Sequence, residues 1–344
     1  MTECPSINRE VRLARHPTGE LRAEHLAVQE CAMPIPGPHE VLVRNRWFRV
    51  SISTRLMARK EAEAIEGIPF PPLQRGDTLA DAAIGEIIGT GSACDQRPGS
   101  LVLHPFGWRE YAVVNEDACT VLDAKYTEPE AFLGHGWTAY AALTEGTRIH
   151  EGDTVFISSG AGAIGSMAGQ IARRLGAGHV IGSTSTPDKA HWMRTELGYD
   201  AVVTRTGGPI REQLAKAAPG GIDVIVDMVG GEQLAAAVAL AKHGARCVLL
   251  GALTAELDAK KARLEAPVEL DSFQIILKGI TLRGFSACAH APEKFAEWIR
   301  HLESWQDEGV IRLPSTKIKG IDSAPFALQE ACAGRLKGLV LVEL

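Results

Sequence analysis

Short apolar runs punctuate the middle of the chain at Thr154–Ser158, His179–Gly182, Ala201–Val203, Ile222–Asp227, Ala245–Leu250 and Thr281–Phe285. They predict strands. Between the early runs, helical patterns cover Ile164–Leu175, Asp188–Leu197, Ile210–Ala218 and Glu232–Ala241. Short apolar strands alternating with helices imply a parallel sheet covered on both faces, the doubly wound α/β architecture.

The first 150 or so residues follow another pattern. "EVLVRNRWFRVS" and "EYAVVNEDACTVLD" read as strands, while Pro34, Pro36, Pro38, Pro69, Pro71 and Pro72 break the stretches between them. This predicts a strand-and-loop region. Near the end, "PEKFAEWIRHLESWQDEG" predicts a helix with Phe295, Trp298, Ile299, Leu302 and Trp305 on one face, a stripe read as core. The last segment, "GLVLVEL", is a strand without a partner nearby in sequence, so it is expected to return to the N-terminal region. The expected organisation is a discontinuous first domain, residues 1–123 with 288–344, and a nucleotide-binding domain over 124–287. At 344 residues the chain has room for both.

Composition narrows the partners. A net charge of −6 argues against nucleic acid or an anionic membrane as the main partner. The start, "MTECPSINREVRLARHP", lacks the apolar segment of a signal peptide, and no run approaches a membrane span, so the cytoplasm is the expected location. Cys4, Cys31, Cys94, Cys119, Cys247, Cys288 and Cys332 are scattered and never spaced C-x-x-C, which predicts no metal site and a reducing compartment.

Gly160, Gly162 and Gly165 form G-x-G-x-x-G after a predicted strand and at the start of a predicted helix, the context of a dinucleotide turn. In this reading Gly160 permits the tight turn, Gly162 admits backbone to the pyrophosphate, and Gly165 lets the helix pack on the sheet. An NAD site places an acid about 20 residues on, at the end of the second strand. Here Gly182, Ser183, Thr184 and Ser185 stand there with Lys189 close behind, and Asp188 is expected to cap the next helix. Hydroxyls and cations at Ser183, Ser185, Lys189 and Arg205 favour the 2′-phosphate of NADP(H).

The sequence resembles the medium-chain dehydrogenase/reductase superfamily, within it the zinc-free NADPH-dependent alkenal/one (prostaglandin and leukotriene) reductases and their quinone-reductase relatives. The resemblance is carried by "GHGWTAYAAL", "EGDTVFISSGAGAIGSMAGQIARRLGA", "DMVGG", the segment Gly107, Trp108, Glu110 and Tyr111, and "GIDSAPFALQEACAGRLKGLVLV". It implies a GroES-like β-barrel catalytic domain beside a Rossmann domain, an active-site cleft between them and hydride transfer from NADPH. It further implies that Gly162, Ala163, Ile164 and Gly165 face the pyrophosphate, that Ser183, Ser185 and Lys189 lie near the 2′-phosphate, and that the backbones of Gly251, Ala252, Phe285 and Ser286 lie near the nicotinamide. A homodimer joined through edge strands of the nucleotide domains is implied too.

Departures from the family pattern are informative. Ala80, Asp81 and Ala82 occupy the Gly-His-Glu zinc motif, so a ligand is missing. The substrate-side D-P-Y-M-R is Ser51, Ile52, Ser53, Thr54 and Arg55, the later tyrosine is Glu256, and the cofactor-side asparagine is Leu336. Reducing a conjugated C=C bond needs a hydrogen-bond donor for the developing oxyanion and a source of one proton. Ser51 and Ser53 are candidate donors or ordinary strand hydroxyls, and Arg55 either anchors an anionic tail or makes a salt bridge within its domain. His104 and His135 read as structural histidines, Glu256 as a solvated charge. The leading expectation is a zinc-independent NADPH-dependent reductase of α,β-unsaturated carbonyls or quinone-like acceptors, the altered pocket suggesting a specialised metabolic or biosynthetic substrate. The alternatives are a cofactor-binding protein with little catalysis, or a carbonyl or imine reductase.

Overall fold

The structure, a computed structural model, describes residues 6–60, 62, 71–122, 128–257, 265–286 and 292–344. In chain order its strands are β1 (Ile7–Leu13), β2 (Leu26–Ala32), β3 (Glu40–Arg49), β4 (Ala83–Thr90), β5 (Leu101–His104), β6 (Tyr111–Asn115), β7 (Thr120–Val121) and β8 (Thr154–Ile157). They continue with β9 (His179–Thr184), β10 (Ala201–Thr204), β11 (Ile222–Asp227), β12 (Ala241–Leu249), β13 (Thr281–Gly284), β14 (Ser315–Lys319) and β15 (Leu339–Glu343). Two compact units result. One takes the described residues up to Leu133 and those of Ser315–Leu344, and the other takes those from Gly134 to Pro314.

In the first unit, β1 and β2 form an antiparallel pair, and a larger sheet runs β14-β15-β3-β4-β5-β7, with β6 also on β3. The chain's last strand pairs antiparallel with β3, placing Val342 opposite Phe48. Alternation along these strands sends Val11, Leu13, Phe48 and Val342 into one core with Leu79 and Trp108. Trp108 is fully buried although its φ is 62°, a left-handed conformation costly for a bulky residue. Its ring lies 5.1 Å from that of Phe48, and Asn45 Nδ2 donates to the carbonyls of Phe106 and Arg109 on either side, which holds the turn.

The second unit carries a six-stranded parallel sheet ordered β10-β9-β8-β11-β12-β13. Phe156, Ile157, Ile181, Val224, Ile225, Val226 and Val248 are buried, because helices cover both faces. The aromatic stripe is core: Trp298 and Trp305 pack on the Tyr140 ring at 5.5 and 6.4 Å, and a Cβ on Gly136 would stand 2.4 Å from Trp298. That packing keeps the helix Pro292–Asp307 with the second unit, whereas the sequence starts the return to the first domain at 288. The other boundary differs as well. The helix Pro129–Leu133, past the expected boundary at 123, stays with the first unit through Leu133, packed among Ile84, Leu122, Leu339 and Leu341, and through Glu130, bound by Ser315 Oγ and Lys317 Nζ at 2.7 Å each. Among the described residues no helix is long and apolar enough to cross a membrane.

Candidate functional site

In the second unit the chain leaves β8 toward β9 and β10 on one side, then crosses to β11, β12 and β13 on the other. Such a reversal opens a ligand crevice at the strands' carboxyl ends. The glycine turn lies there, at the exit of β8. Gly160 N donates to Ser183 O at 2.7 Å, and Gly162 N to Ser159 O at 2.9 Å. A Cβ on Gly165 would stand 2.3 Å from Ser159 O and 2.6 Å from Gly160 Cα, so only glycine lets the helix Gly165–Arg174 start this close. The left-handed residue of the turn is Ser159, with φ 54°, which corrects the role expected of Gly160. Gly160 answers a different demand, since a Cβ there would stand 2.4 Å from Met193 Cε. Tyr199, buried nearby, donates to Gly165 O at 2.6 Å and fills the space beside Gly160, Gly169 and Gly182. The bonds that hold the turn use the amides of Ser159, Gly160 and Gly162. They leave those of Ala163, Ile164 and Gly165 without a protein acceptor among the described residues. Backbone donors at a helix start suit an anion, so the turn fits a pyrophosphate.

Polar side chains brace this turn from both sides. Ser158 Oγ donates to Asp227 Oδ1 at 2.8 Å and accepts from Met228 N at 2.8 Å, while Asp227 Oδ2 accepts from Gly230 N at 2.7 Å. Burial pushes the Asp227 carboxyl above its ordinary value, against the pull of these donors. On the other side Ser183 Oγ accepts from Ser159 N at 3.0 Å and donates to Gln233 Oε1 at 2.5 Å. Ser183 is 1% exposed and its hydroxyl is already engaged, which corrects its expected place among the 2′-phosphate groups. Asp227 and Gln233 carry no mark of a site in the sequence, except that an acid at the end of a central strand precedes a glycine pair.

The exits of β9 and β10 bring the other ribose-end candidates together. Thr204 pairs with Thr184, and Arg205 N donates to Thr184 O at 3.1 Å, so Arg205 stands beside Ser185 with its side chain exposed. The cap of the helix Pro187–Glu196 is Thr186, whose hydroxyl accepts from Lys189 N. This corrects the expectation for Asp188, which lies exposed inside the first turn. Lys189 is only 7% exposed in that same turn.

The exits of β12 and β13 adjoin in the same way. Leu249 pairs with Gly284, and Phe285 N donates to Leu249 O at 3.0 Å, which aligns Gly251 and Ala252 with Phe285 and Ser286. Leu250 N, Leu253 N and Thr254 N bond to the carbonyls of Asp227, Met228 and Val229, tying this exit to that of β11. Glu256, expected in a solvated loop, instead ends the short helix Leu253–Glu256 with Oε1 3.4 Å from Ala252 N. Burial raises its pKa.

The first-unit candidates are placed less favourably. Ser51 and Ser53, half-buried, lie at the start of a short helix, Ser53–Met57, instead of on a strand. Arg55 is 2% exposed, and its Nη2 donates to Gly19 O at 3.3 Å, which ties two segments of that unit and favours the role within its domain over the anionic anchor. His104 is structural. Its Nδ1 accepts from Phe106 N at 3.2 Å, so Nε2 carries the proton given to Asn45 Oδ1 at 2.8 Å. Burial, helped by the Arg109 charge, pushes its pKa down to about 4. Leu336 packs against the first core. Asp81, in the zinc-motif position, accepts from Arg49 at 2.7 Å and from Ala82 N at 2.7 Å. Among the described residues no three His, Cys, Asp or Glu side chains converge as metal ligands, so this donor set does not fit zinc.

Comparison with known proteins places this geometry. Residues 9–122 match the family model described as N-terminal domain of oxidoreductase, and residues 163–304 that of the zinc-binding dehydrogenases. The chain is 28% identical to a putative NADP-dependent oxidoreductase, YfmJ, of Bacillus subtilis, covering 97% of each chain. It is 26% identical to the NADPH-dependent curcumin reductase of Escherichia coli, covering 98% of this chain and 97% of that one. The crystal structure of CurA from Vibrio vulnificus in complex with NADPH superposes with a TM-score of 0.86 at 26% identity, over 97% of this chain and 98% of that one.

Proposed function

Since the chain belongs to the medium-chain dehydrogenase/reductase superfamily, we propose that it is an NADPH-dependent oxidoreductase that reduces the activated C=C bond of a small α,β-unsaturated carbonyl or a quinone-like acceptor, without zinc. The observation that carries this reading is the glycine turn, whose Ala163, Ile164 and Gly165 amides meet no acceptor among the described residues, followed at the exits of β9 and β10 by Lys189 and Arg205 in place of a carboxylate. The turn holds the pyrophosphate through Ala163, Ile164 and Gly165. Ser185, Lys189 and Arg205 hold the 2′-phosphate, and a carboxylate there would repel it. The backbones of Gly251, Ala252, Phe285 and Ser286 border the nicotinamide. The cofactor, when bound, supplies the hydride, so the protein's part is orientation and electrostatics. Ser51 and Ser53 are the proposed donors to charge that develops on an acceptor's oxygen.

The decisive experiment follows NADPH oxidation against panels of enals, enones and quinones, with product analysis. Turnover of at least one class, with the C=C bond of enal or enone substrates saturated, is the expected result. Tight NADPH binding without turnover of any class overturns the reading.

The proposed protein is cytoplasmic and homodimeric. The helix Ser272–Lys278 exposes Phe273, Ile276 and Leu277 (64%, 74% and 54%) ahead of β13, the edge strand of the described sheet, and a second copy would cover both. Light scattering on Ile276→Glu is expected to show monomers. A wild-type protein that is itself monomeric overturns this part.

A further inference from the structure

The two braces on the glycine turn meet to form one closed ring. Starting at Ser159, the ring passes from its amide to Ser183 Oγ, and from that hydroxyl to Gln233 Oε1. Gln233 stands in the first turn of the helix Gly231–Ala239, which follows Gly230 directly. Gly230 N donates to Asp227 Oδ2, and Asp227 Oδ1 accepts from Ser158 Oγ, one residue before the start. The ring therefore links the exits of β8, β9 and β11, and Ser159, the residue it closes on, carries the turn's left-handed φ of 54°. A non-glycine residue holds that conformation only when its surroundings over-determine it. Within the ring Gln233 decides which way the Ser183 hydroxyl points. With its proton spent on Gln233 Oε1, Ser183 Oγ turns a lone pair to Ser159 N.

We propose that Gln233 and Ser183 are positioning residues for the pyrophosphate turn, and that Ser183 takes no part in choosing between NADPH and NADH. The inference rests on the cofactor reading above. Because the pyrophosphate is common to both dinucleotides, loosening the turn weakens both alike. A loss confined to the 2′-phosphate would weaken NADPH alone.

The test titrates NADPH and NADH into the purified wild-type protein and into Gln233→Met, Ser183→Ala, the double variant and Lys189→Ala. Gln233→Met keeps the volume and removes the acceptor, and Ser183→Ala removes a single oxygen, so a failure of one to fold leaves the other informative. Each is expected to raise Kd for both cofactors about tenfold, in line with one buried hydrogen bond, while the NADPH-to-NADH ratio stays within about twofold. In turnover the rise falls on KM for the cofactor rather than on kcat. The double variant is expected to be no weaker than either single one, since Gln233 acts through Ser183. Lys189→Ala is the contrast, expected to shrink the ratio. Wild-type affinity in Gln233→Met and Ser183→Ala overturns the inference. So does a ratio that falls in Ser183→Ala, or additive losses in the double variant. A wild-type protein that binds neither dinucleotide removes the cofactor reading itself and this inference with it.

Discussion

The carboxyl edge of the second unit's sheet and the Ser51–Arg55 segment of the first unit make an instructive contrast. At the sheet edge, residues from six strand exits lie next to one another, because a parallel sheet brings successive exits to one side whatever the loops contain. In the first unit, several polar and charged side chains are taken up by structure. Arg55 serves the Gly19 carbonyl, His104 serves Asn45 and Phe106, and Asp81 serves Arg49. A binding edge made of backbone is set by topology. A pocket made of side chains has no such guarantee, and its charged members are as readily consumed by folding as by ligand.

Several measurements would break or sharpen this contrast. The largest effect is expected from Gly165→Ala, because the added Cβ meets backbone atoms that cannot swing away. Stability should fall by about 3 kcal/mol or more in denaturant titration, with cofactor binding lost along with it. Next comes His104. Its folded pKa of about 4 lies below the ordinary histidine value, so between those two pH values the unfolded chain holds a proton that the folded protein does not. The stability contributed is full above pH 6.5 or so and is lost as pH falls toward 4, on the order of 3 kcal/mol. Unfolding curves across that window should show the drop, and His104→Gln should flatten it. Arg55→Met is expected to cost about 2 kcal/mol through the lost carbonyl bond. It should leave KM for the acceptor within about twofold, and a large rise in that KM would restore Arg55 as a substrate anchor. The smallest effects concern the ribose end. Lys189→Ala should reduce the preference for NADPH over NADH about tenfold, and the exposed Arg205→Ala about threefold, in competitive titrations.

Legibility in the sequence follows the same division. The glycine turn could be read because Gly160, Gly162 and Gly165 sit within six residues, directly after a strand and at a helix start. Even there, which residue takes the left-handed conformation was not legible, and it fell to Ser159. The missing acid after β9 was legible, since its place is set by counting along a strand. What Ser183 does was not, because its partners lie 24 and 50 residues away. Glu256 read as solvated from a charged neighbourhood, and only the fold turned its carboxyl toward the Ala252 amide. The stripe of Trp298 and Trp305 showed itself as core by its spacing. Its partner Tyr140, on the far side of the sheet sequence, did not, and the domain boundary moved with it.

By itself the sequence determined the alternation of strands and helices, the place of the dinucleotide turn and the absence of a carboxylate at the ribose position. These are short-range properties, set by periodicity, glycine spacing and charge. Tertiary structure alone decided that Ser183 braces the turn through Gln233, that Asp227 closes the ring, and that Arg55 reaches the Gly19 carbonyl. Each of those roles depends on hydrogen bonds between residues distant along the chain. A hydroxyl, an amide or a guanidinium has many possible partners in sequence, and packing leaves it one.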